Sequence, residues 1–241
     1  MPNKQRVSSL KRKVRSAEQS ASVQDYLAAI YDLAGGGQPV IGARLAKHLR
    51  VSAPAVTEAL QRMARAGYIR LGAGKAIALT RKGKALAEVM ARRHRLLERW
   101  LTDVLQLNWT EAHEEAHRLE HAISPRVEER LADILGMPST CPHGNPIPGM
   151  PASSPTHPFP LDQAQEGMTV VVERITEEAE ADRRLLEHLW RTDVKPGACL
   201  RIEEVAPWAG TITMSGSGAH GARIALGLAA AAKIWVYRPS S

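Results

Sequence analysis

Eight prolines lie between residues 138 and 160, and this segment divides the chain into two parts of different character. Proline fixes φ and lacks an amide hydrogen, so the segment is expected to be a linker or an ordered irregular belt, not a helix. Before it, apolar residues recur at helical spacing. After it, short β-branched runs alternate with turns. The sequence therefore predicts a mainly α protein with small β parts.

The part before the prolines begins with three predicted helices, over 22–34, 41–50 and 53–66. Ser22 and Ser52 are expected to cap the first and third, and Pro54 suits the first turn of the third helix. A glycine-tipped hairpin over 68–79 follows. This order describes a winged helix-turn-helix whose third helix enters the DNA major groove. An alternative is a winged helix that binds protein. The candidates to face the groove are Ser52, Pro54, Thr57, Glu58, Gln61 and Arg62, and those to hold phosphates are Lys75, Arg81, Lys82 and Lys84.

Further helices are predicted over 81–105, 110–122 and 124–135. Strands are predicted over 168–175, 199–205, 211–214, 222–226 and 234–237, with one helix at 182–190 between them, which is the pattern of a small β-barrel. The predicted domains are a basic disordered arm over 1–20, a winged helix-turn-helix domain over 21–85, a helical domain over 86–150, a linker over 151–160 and a β-barrel domain over 161–241.

The net charge of +7 is concentrated at the N-terminus, because residues 1–20 hold six Lys and Arg against one Glu. This arm is either a solvated, disordered leader or a segment that lies along nucleic-acid phosphates. No apolar run approaches the roughly 18 residues of a membrane span. The two cysteines, Cys141 and Cys199, do not suggest a disulfide framework and fit a reducing compartment. We therefore expect a cytoplasmic protein without a membrane partner.

The predicted helix over 110–122 carries a stripe of metal-ligand side chains. On a helix, His113, His117, Glu120 and His121 fall within an arc of roughly 100°. Imidazoles and a carboxylate on one face are suitable ligands for a transition metal. His94 and Glu98 form an i, i+4 pair on the preceding helix, and Asp25 lies among small residues on the first. These residues allow two metal sites, one of His94, Glu98 and His113, the other of Asp25, His117, Glu120 and His121.

Two other functions use the same residues. His113-Glu114-x-x-His117 matches the H-E-x-x-H pattern of zinc proteases, in which the glutamate is the general base. That interpretation leaves Glu120, His121 and the winged helix unexplained, so the chain is not expected to be an enzyme. A metal buffer or chaperone would bind metal without binding DNA, and it also leaves the winged helix without a role.

Four motifs together resemble the diphtheria toxin repressor family of metal-dependent transcriptional regulators. The resemblance implies a homodimer of subunits with a winged-helix domain, a helical dimerisation and metal domain, and a C-terminal SH3-like domain. It also implies two metal sites per subunit, a palindromic double-stranded DNA operator and control of metal-uptake genes. The dimer seam is expected around Trp100, Leu101, Val104 and Leu105. The motifs lie at 25–31, 93–99, 113–121 and 144–149.

The resemblance assigns Asp25, His117, Glu120 and His121 to the primary site, and His94, Glu98 and His113 to the ancillary site. The iron-sensing branch has methionine and cysteine at the positions of Asp25 and His117. Without those sulfur ligands, the primary set suits Mn(II), with Fe(II) as a second candidate. Some members bind an anion between residues that correspond to Arg95, Cys141 and Asn145, and Cys141 departs from that pattern. The family's SH3-like domain can supply a further ancillary ligand, for which Asp182 is the best candidate and Glu187 and His188 are rivals.

Overall fold

The computed structural model describes residues 23–151, 157–216 and 223–239. They divide between Met90 and Ala91 into two compact units. The predicted basic arm over 1–20, the Ser22 cap and residues 152–156 of the predicted linker lie outside the described residues. Within the described ranges, no helix is both long enough and apolar enough to cross a membrane.

The first unit is a helix-turn-helix followed by a two-stranded wing. Ser52 Oγ accepts a hydrogen bond from the amide of Ala55 at 3.4 Å, and Pro54 occupies the first turn of the helix that it caps. Ile69 pairs with Leu79 in the antiparallel wing. The helices are α1 over 23–35, α2 at Gly42–Leu49 and α3 at Ala53–Arg65, and the strands are β1 at Ile69–Leu71 and β2 at Ile77–Leu79.

Apolar side chains from every helix of this unit meet in one core. Leu27 and Ile30 of α1, Leu45 of α2 and Met63 of α3 are almost fully buried there. The polar faces of α2 and α3 stay outside, as expected for amphipathic helices on a small core. The packing therefore holds α3 and the wing in one body.

Gly83, in the first turn of α4 (Arg81–Asp103), fixes this helix against the wing. A Cβ placed on Gly83 would lie 2.0 Å from the carbonyl oxygen of Tyr68. We expect Gly83→Ala to destabilise the first unit by about 1–3 kcal/mol, because backbone must move to admit the methyl group. Urea unfolding followed by circular dichroism measures this. Gly35→Ala is the matched control, since a Cβ there meets no atom within 4 Å; equal unfolding midpoints for the two variants would contradict the expectation.

The helical part of the second unit contains the end of α4, then α5 at Trp109–Leu119 and α6 at Pro125–Ile134. A capping box starts α5: Asn108 Oδ1 accepts from the Glu111 amide at 3.0 Å, and Glu111 accepts from the Asn108 amide. The helix ends about three residues earlier than the sequence predicts, because residues 120–122 form a turn before Ser124 caps α6. His121 therefore lies just beyond the helix that carries His113 and His117.

The described remainder of the second unit contains six strands and three α-helices. They are β3 at Phe159–Pro160, β4 at Thr169–Ile175, α7 at Glu177–Glu180, α8 at Arg183–Arg191, β5 at Cys199–Ala206, β6 at Thr211–Gly216, β7 at Arg223–Gly227, α9 at Leu228–Ala231 and β8 at Ile234–Tyr237. The strands form an antiparallel sheet with the order β3-β8-β4-β5-β6-β7. Bulges in the β4–β8 and β5–β6 pairings bend it around a core that includes Val170, Leu200 and Ile234. The short elements β3, α7 and α9 were not predicted.

The apolar residues expected at the dimer seam have two different environments. Leu101 is buried within its own unit and packs with Leu97 and Ala112, and Trp100 packs against the same cluster. Val104 and Leu105 are 52% and 48% exposed. Leu101 is therefore core, whereas Val104 and Leu105 leave apolar surface available to a partner.

Candidate metal centre

His94 stands between two groups of metal-ligand side chains in the second unit. Its Nδ1 lies 2.6 Å from Glu120 Oε2, and its Nε2 lies 3.1 Å from Glu98 Oε1 and 3.2 Å from His113 Nδ1. The i, i+4 spacing on α4 places Glu98 beside His94. His113 on α5 and Glu120, the residue that follows α5, lie across from them. The two nitrogen atoms of this one ring therefore face different groups.

Glu120 is the centre of the first group, which corresponds to the predicted primary site. Its Oε1 lies 3.2 Å from His117 Nδ1 and 3.4 Å from His121 Nε2. The Glu120 side chain is 6% exposed, whereas that of His117 is 62% exposed. Glu120 therefore lies close to the predicted ligands His117 and His121 and also to His94, and it shares one donor group with His94 and His117.

The charge state of this first group prepares it for a cation. Burial would raise the pKa of Glu120, but His94 and His117 outweigh burial and lower that pKa to about 2. Burial would lower the pKa of His94, but Glu98 and Glu120 hold it well above its usual range. Protons and metal ions therefore compete at His94, and metal affinity should rise with pH as that proton is lost.

The second group corresponds to the predicted ancillary site and contains His94, Glu98 and His113. His113 Nδ1 lies 2.9 Å from Glu98 Oε1, and Glu98 is fully buried. A fourth member, Glu180, comes from α7, with its Oε2 3.5 Å from His113 Nδ1. Both carboxylates point toward the imidazole of His113 from different elements.

The residue from the β part that joins this group is Glu180, not Asp182. Asp182 is the N-cap of α8, and its Oδ1 accepts a hydrogen bond from the amide of Leu185. Of the rivals, Glu187 accepts from Arg183 on the surface of α8, and His188 belongs to no donor group among the described residues. Asp182 and Glu187 belong to no donor group among the described residues, and the ligand role of Asp182 stays a prediction.

Cys141 and His143 lie on the other side of Glu98 and were not predicted as ligands. His143 Nδ1 lies 3.4 Å from Glu98 Oε2, 3.2 Å from Glu180 Oε1 and 3.8 Å from Cys141 Sγ. Burial, reinforced by Glu98, raises the pKa of the Cys141 thiol well above its usual range. A cysteine and a histidine two residues apart in the proline-rich segment were the available signal.

Gly144 allows the loop that carries these two residues to approach β4. It has a φ of +87°, and a Cβ there would lie 2.3 Å from the carbonyl oxygen of Glu173. The Ile175 amide donates to the His143 carbonyl at 2.8 Å. Any side chain at Gly144 would therefore separate the loop from the strand.

Arg95 pairs with a carboxylate from the β part of the unit. Its Nε donates to Glu177 Oε1 at 2.8 Å and its Nη1 donates to the Pro146 carbonyl at 2.6 Å. Asn145 Nδ2 donates to the carbonyl of Ile175 and to Glu180 Oε1. The anion site of Arg95, Cys141 and Asn145 stays a prediction.

The H-E-x-x-H pattern does not assemble as a protease centre. His113 and His117 fall in different donor groups of the described chain. Glu114, the required general base, accepts a hydrogen bond from Arg183 Nη1 at 3.0 Å. The glutamate is therefore held by a cation on α8.

The donor distances fit a bound metal ion. A tetrahedral ion with nitrogen and oxygen ligands separates its ligand atoms by roughly 3.3 Å. In the second group, four pairs of donor atoms, His94–Glu98, His94–His113, Glu98–His113 and His113–Glu180, are separated by 2.9 to 3.5 Å. Glu98 Oε2 and Glu180 Oε2 are buried and form no hydrogen bond. These residues fit a divalent cation.

Asp25, the remaining predicted primary ligand, lies on α1 in the first unit and is half-buried. Its part in the primary site stays a prediction.

The candidate DNA-contacting residues lie on the outside of α3 and the wing. Ser52 and Pro54 begin α3, and Thr57, Glu58, Gln61 and Arg62 are exposed along it. Lys75 at the wing tip is also exposed, as is Arg81. Lys82 has interactions within its own unit, because its Nζ donates to the Ala66 carbonyl at 3.2 Å and lies 4.3 Å from the centre of the Tyr68 ring. Lys82 must leave these partners to hold a phosphate.

Three family profiles match successive parts of the chain. Residues 18–76 match the profile "Iron dependent repressor, N-terminal DNA binding domain". Residues 80–149 match "Iron dependent repressor, metal binding and dimerisation domain". Residues 159–238 match the FeoA domain, which is SH3-like. With these matches, the predicted fold class is confirmed.

Curated relatives are similar over most of the chain. The iron-dependent repressor IdeR of Mycobacterium tuberculosis strain H37Rv is 38% identical over 201 residues, which are 79% of this chain and 87% of the relative. The diphtheria toxin repressor of Corynebacterium diphtheriae is 41% identical over 125 residues, 52% of this chain and 55% of the relative.

Solved structures are similar along nearly the whole length. One described as a manganese-dependent transcriptional repressor in complex with manganese has a TM-score of 0.80 and 36% identity, and the match covers 90% of this chain and 100% of that one. The manganese regulator SloR has a TM-score of 0.75 and 30% identity, covering 90% and 98%.

Proposed function

Because the chain belongs to the iron-dependent repressor family of metal-dependent transcriptional regulators, which includes the diphtheria toxin repressors, we propose that it represses transcription when Mn(II) is bound. Fe(II) is the second candidate ion. The matched DNA-binding and dimerisation domains indicate a DNA-binding homodimer. The observation that carries the proposal is the buried Glu120 carboxylate, which lies within 3.4 Å of His94, His117 and His121.

The donor atoms of the primary site favour Mn(II). They are imidazole nitrogens and carboxylate oxygens without sulfur, and such a hard to borderline set suits Mn(II) or Fe(II) better than a thiolate set does. His117 stands where the iron-sensing branch has cysteine, which supports the same choice. The relatives include both iron-dependent and manganese-dependent repressors. We therefore base the choice of ion on the ligands of this chain.

We assign the ligands as two sets. The primary set is Asp25, His117, Glu120 and His121, in which Asp25 is assigned from the sequence pattern. The ancillary set is His94, Glu98 and His113, with Glu180 in the position first given to Asp182. His94 Nδ1 lies 2.6 Å from Glu120 Oε2, so His94 links the two sets.

Asp25 makes the site a switch, because it lies on the first helix of the DNA-binding unit. A bound divalent ion supplies the positive charge that lets the Asp25 and Glu120 carboxylates share one site. The winged helix then takes one placement instead of several. In a homodimer, that placement sets the spacing of the two α3 helices, and the operator should be a palindrome with half-sites on one face of the duplex. Genes of metal uptake are the expected targets.

Arg81 should contact a DNA phosphate without reading the sequence. We expect Arg81→Ala to weaken operator binding uniformly across sequences and to lower the slope of log affinity against log salt by about one unit. Fluorescence anisotropy over a salt series measures the slope. Lys195→Ala, which removes an exposed cation from the second unit, is the control. An unchanged slope for Arg81→Ala would remove Arg81 from the interface.

A gel shift with several metals tests the proposed ion. The probe is a duplex selected from random DNA by the Mn(II)-loaded protein, and the metals are Mn(II), Fe(II), Co(II), Zn(II) and Cd(II). For each metal, the free concentration that gives half-maximal DNA binding is compared with the free concentration available in the cell. We expect the ratio of the first to the second to be lowest for Mn(II). If only Fe(II) supported binding at plausible concentrations, the assignment to manganese would be wrong while the repressor function stood.

A further inference from the structure

Two buried carboxylates in the ancillary region each face two different sets of ligands. Glu98 Oε1 lies 2.9 Å from His113 Nδ1, and Glu98 Oε2 lies 3.4 Å from His143 Nδ1. Glu180 repeats the pattern, with Oε2 3.5 Å from His113 Nδ1 and Oε1 3.2 Å from His143 Nδ1. Each carboxylate therefore has one oxygen on the His113 side and one on the His143 side.

The His143 side adds two donors, Cys141 and His143, to the shared carboxylate of Glu98. Cys141 Sγ lies 3.8 Å from His143 Nδ1, and the ligand atoms of Glu98, Cys141 and His143 lie within 4.8 Å of one another. These separations match the edges of a tetrahedron around an ion with one sulfur ligand and nitrogen or oxygen ligands. All three residues are buried.

Several polar atoms in this region are buried without a hydrogen bond. They include Glu98 Oε2, Glu180 Oε2 and His143 Nε2. Such atoms carry a desolvation cost that a ligand can offset. Arg99 donates to the carbonyls of Thr140 and Cys141, which holds the loop with its donors already in place.

Three acidic groups converge on one imidazole, because Cys141 Sγ, Glu98 Oε2 and Glu180 Oε1 all lie within 3.8 Å of His143 Nδ1. Both carboxylates are fully buried. When bound to metal, a thiolate and two carboxylates carry three negative charges, one more than a single divalent ion neutralises.

We propose that the ancillary region holds two divalent ions bridged by Glu98 and Glu180, the first bound by His94 and His113 and the second by Cys141 and His143. The inference rests on the proposed metal-dependent function for the first ion only. Carboxylate-bridged pairs place their ions about 3.5–4 Å apart. Because the second position includes a thiolate, it selects Zn(II), Fe(II) or Co(II) over Mn(II).

Titration of the full chain with Co(II) tests the second position. The probe is Co(II) alone, with bound metal counted by equilibrium dialysis and elemental analysis. We expect a thiolate-to-Co(II) charge-transfer band in the wild type and its loss in Cys141→Ser, together with about one fewer ion per subunit. Cys199→Ser, which removes the cysteine in β5, is the matched control and should keep both the band and the count.

Two further measurements test the proposed pair of ions even if the Cys141→Ser variant does not fold. X-ray absorption on the Co(II)-loaded wild type should show a metal–metal vector of about 3.5–4 Å, and His113→Ala should keep the thiolate band while losing an ion. A wild type with neither the band nor the vector would overturn the proposal. A protein that showed the thiolate band and the metal–metal vector but no metal-dependent DNA binding would overturn the proposed function. The same result would support the pair of ions.

Discussion

Glu120→Ala should raise the Mn(II) concentration needed for half-maximal operator binding by at least about 100-fold, the upper end of what loss of a supporting residue costs a metal site. Glu120 is the buried carboxylate that His94, His117 and His121 surround, and its pKa of about 2 keeps it ionised at every physiological pH. No other side chain of the primary group supplies a negative charge within the second unit. Without it, Asp25 is the one carboxylate left in the assigned primary set, and the site attracts a cation more weakly.

The matched control is Glu115→Ala on the same helix. Glu115 pairs with Arg118 near the surface and belongs to no donor group of the described chain. Operator binding is followed by fluorescence anisotropy during Mn(II) titration, and circular dichroism checks that both variants fold. A half-maximal concentration for Glu120→Ala within about twofold of the Glu115→Ala value would remove Glu120 from the site.

Arg95→Met should destabilise the metal-free second unit by about 3–5 kcal/mol, because it leaves the Glu177 carboxylate buried without its cation. Burial would raise the pKa of Glu177, but Arg95 outweighs burial and lowers it. A carboxyl with a lowered pKa in the folded state contributes stability that is present at neutral pH and lost as the pH falls through that lowered pKa. The loss of unfolding free energy caused by Arg95→Met should therefore be smaller at acid pH.

Urea unfolding at pH 7 and in acid measures both effects. Arg126→Met on α6 removes an exposed arginine from the same unit and is the control. The double variant Arg95→Met/Glu177→Met should recover part of the loss, since no unpaired charge remains. If Arg95→Met and Arg126→Met unfolded at the same urea concentration, the Arg95–Glu177 ion pair would not stabilise the packing of α4 against α7.

The sequence predicts the DNA-binding unit well because its signals are local. Ser52 with Pro54 starts α3, and Gly67 and the glycines of the wing end successive elements, so each boundary is decided by neighbouring residues. The sequence also predicts a division of the His113–His121 stripe, and in the structure His113 and His117 fall in different donor groups of the described chain. The end of α5 at Leu119 was not predicted, because it depends on the turn that leads into α6.

The candidate ligands that were not predicted come from irregular segments. Cys141 and His143 lie in a loop that reaches the centre only because Gly144 packs against β4. Glu180 lies on a helix of four residues, too short for a periodic signal. Their meeting with Glu98 depends on contacts between segments distant in the sequence, such as Asn145 with Glu180, and no local propensity specifies such contacts.

The central claim is that metal binding and DNA binding are coupled in this chain. The most direct measurement is the affinity of the wild-type protein for its selected duplex, first after chelation of all metal and then with saturating Mn(II), at one fixed salt concentration. Coupling predicts at least about a tenfold gain in affinity with Mn(II), since coupling energies between sites are typically about 1–3 kcal/mol. Equal affinity of the metal-free and Mn(II)-loaded protein would contradict the account.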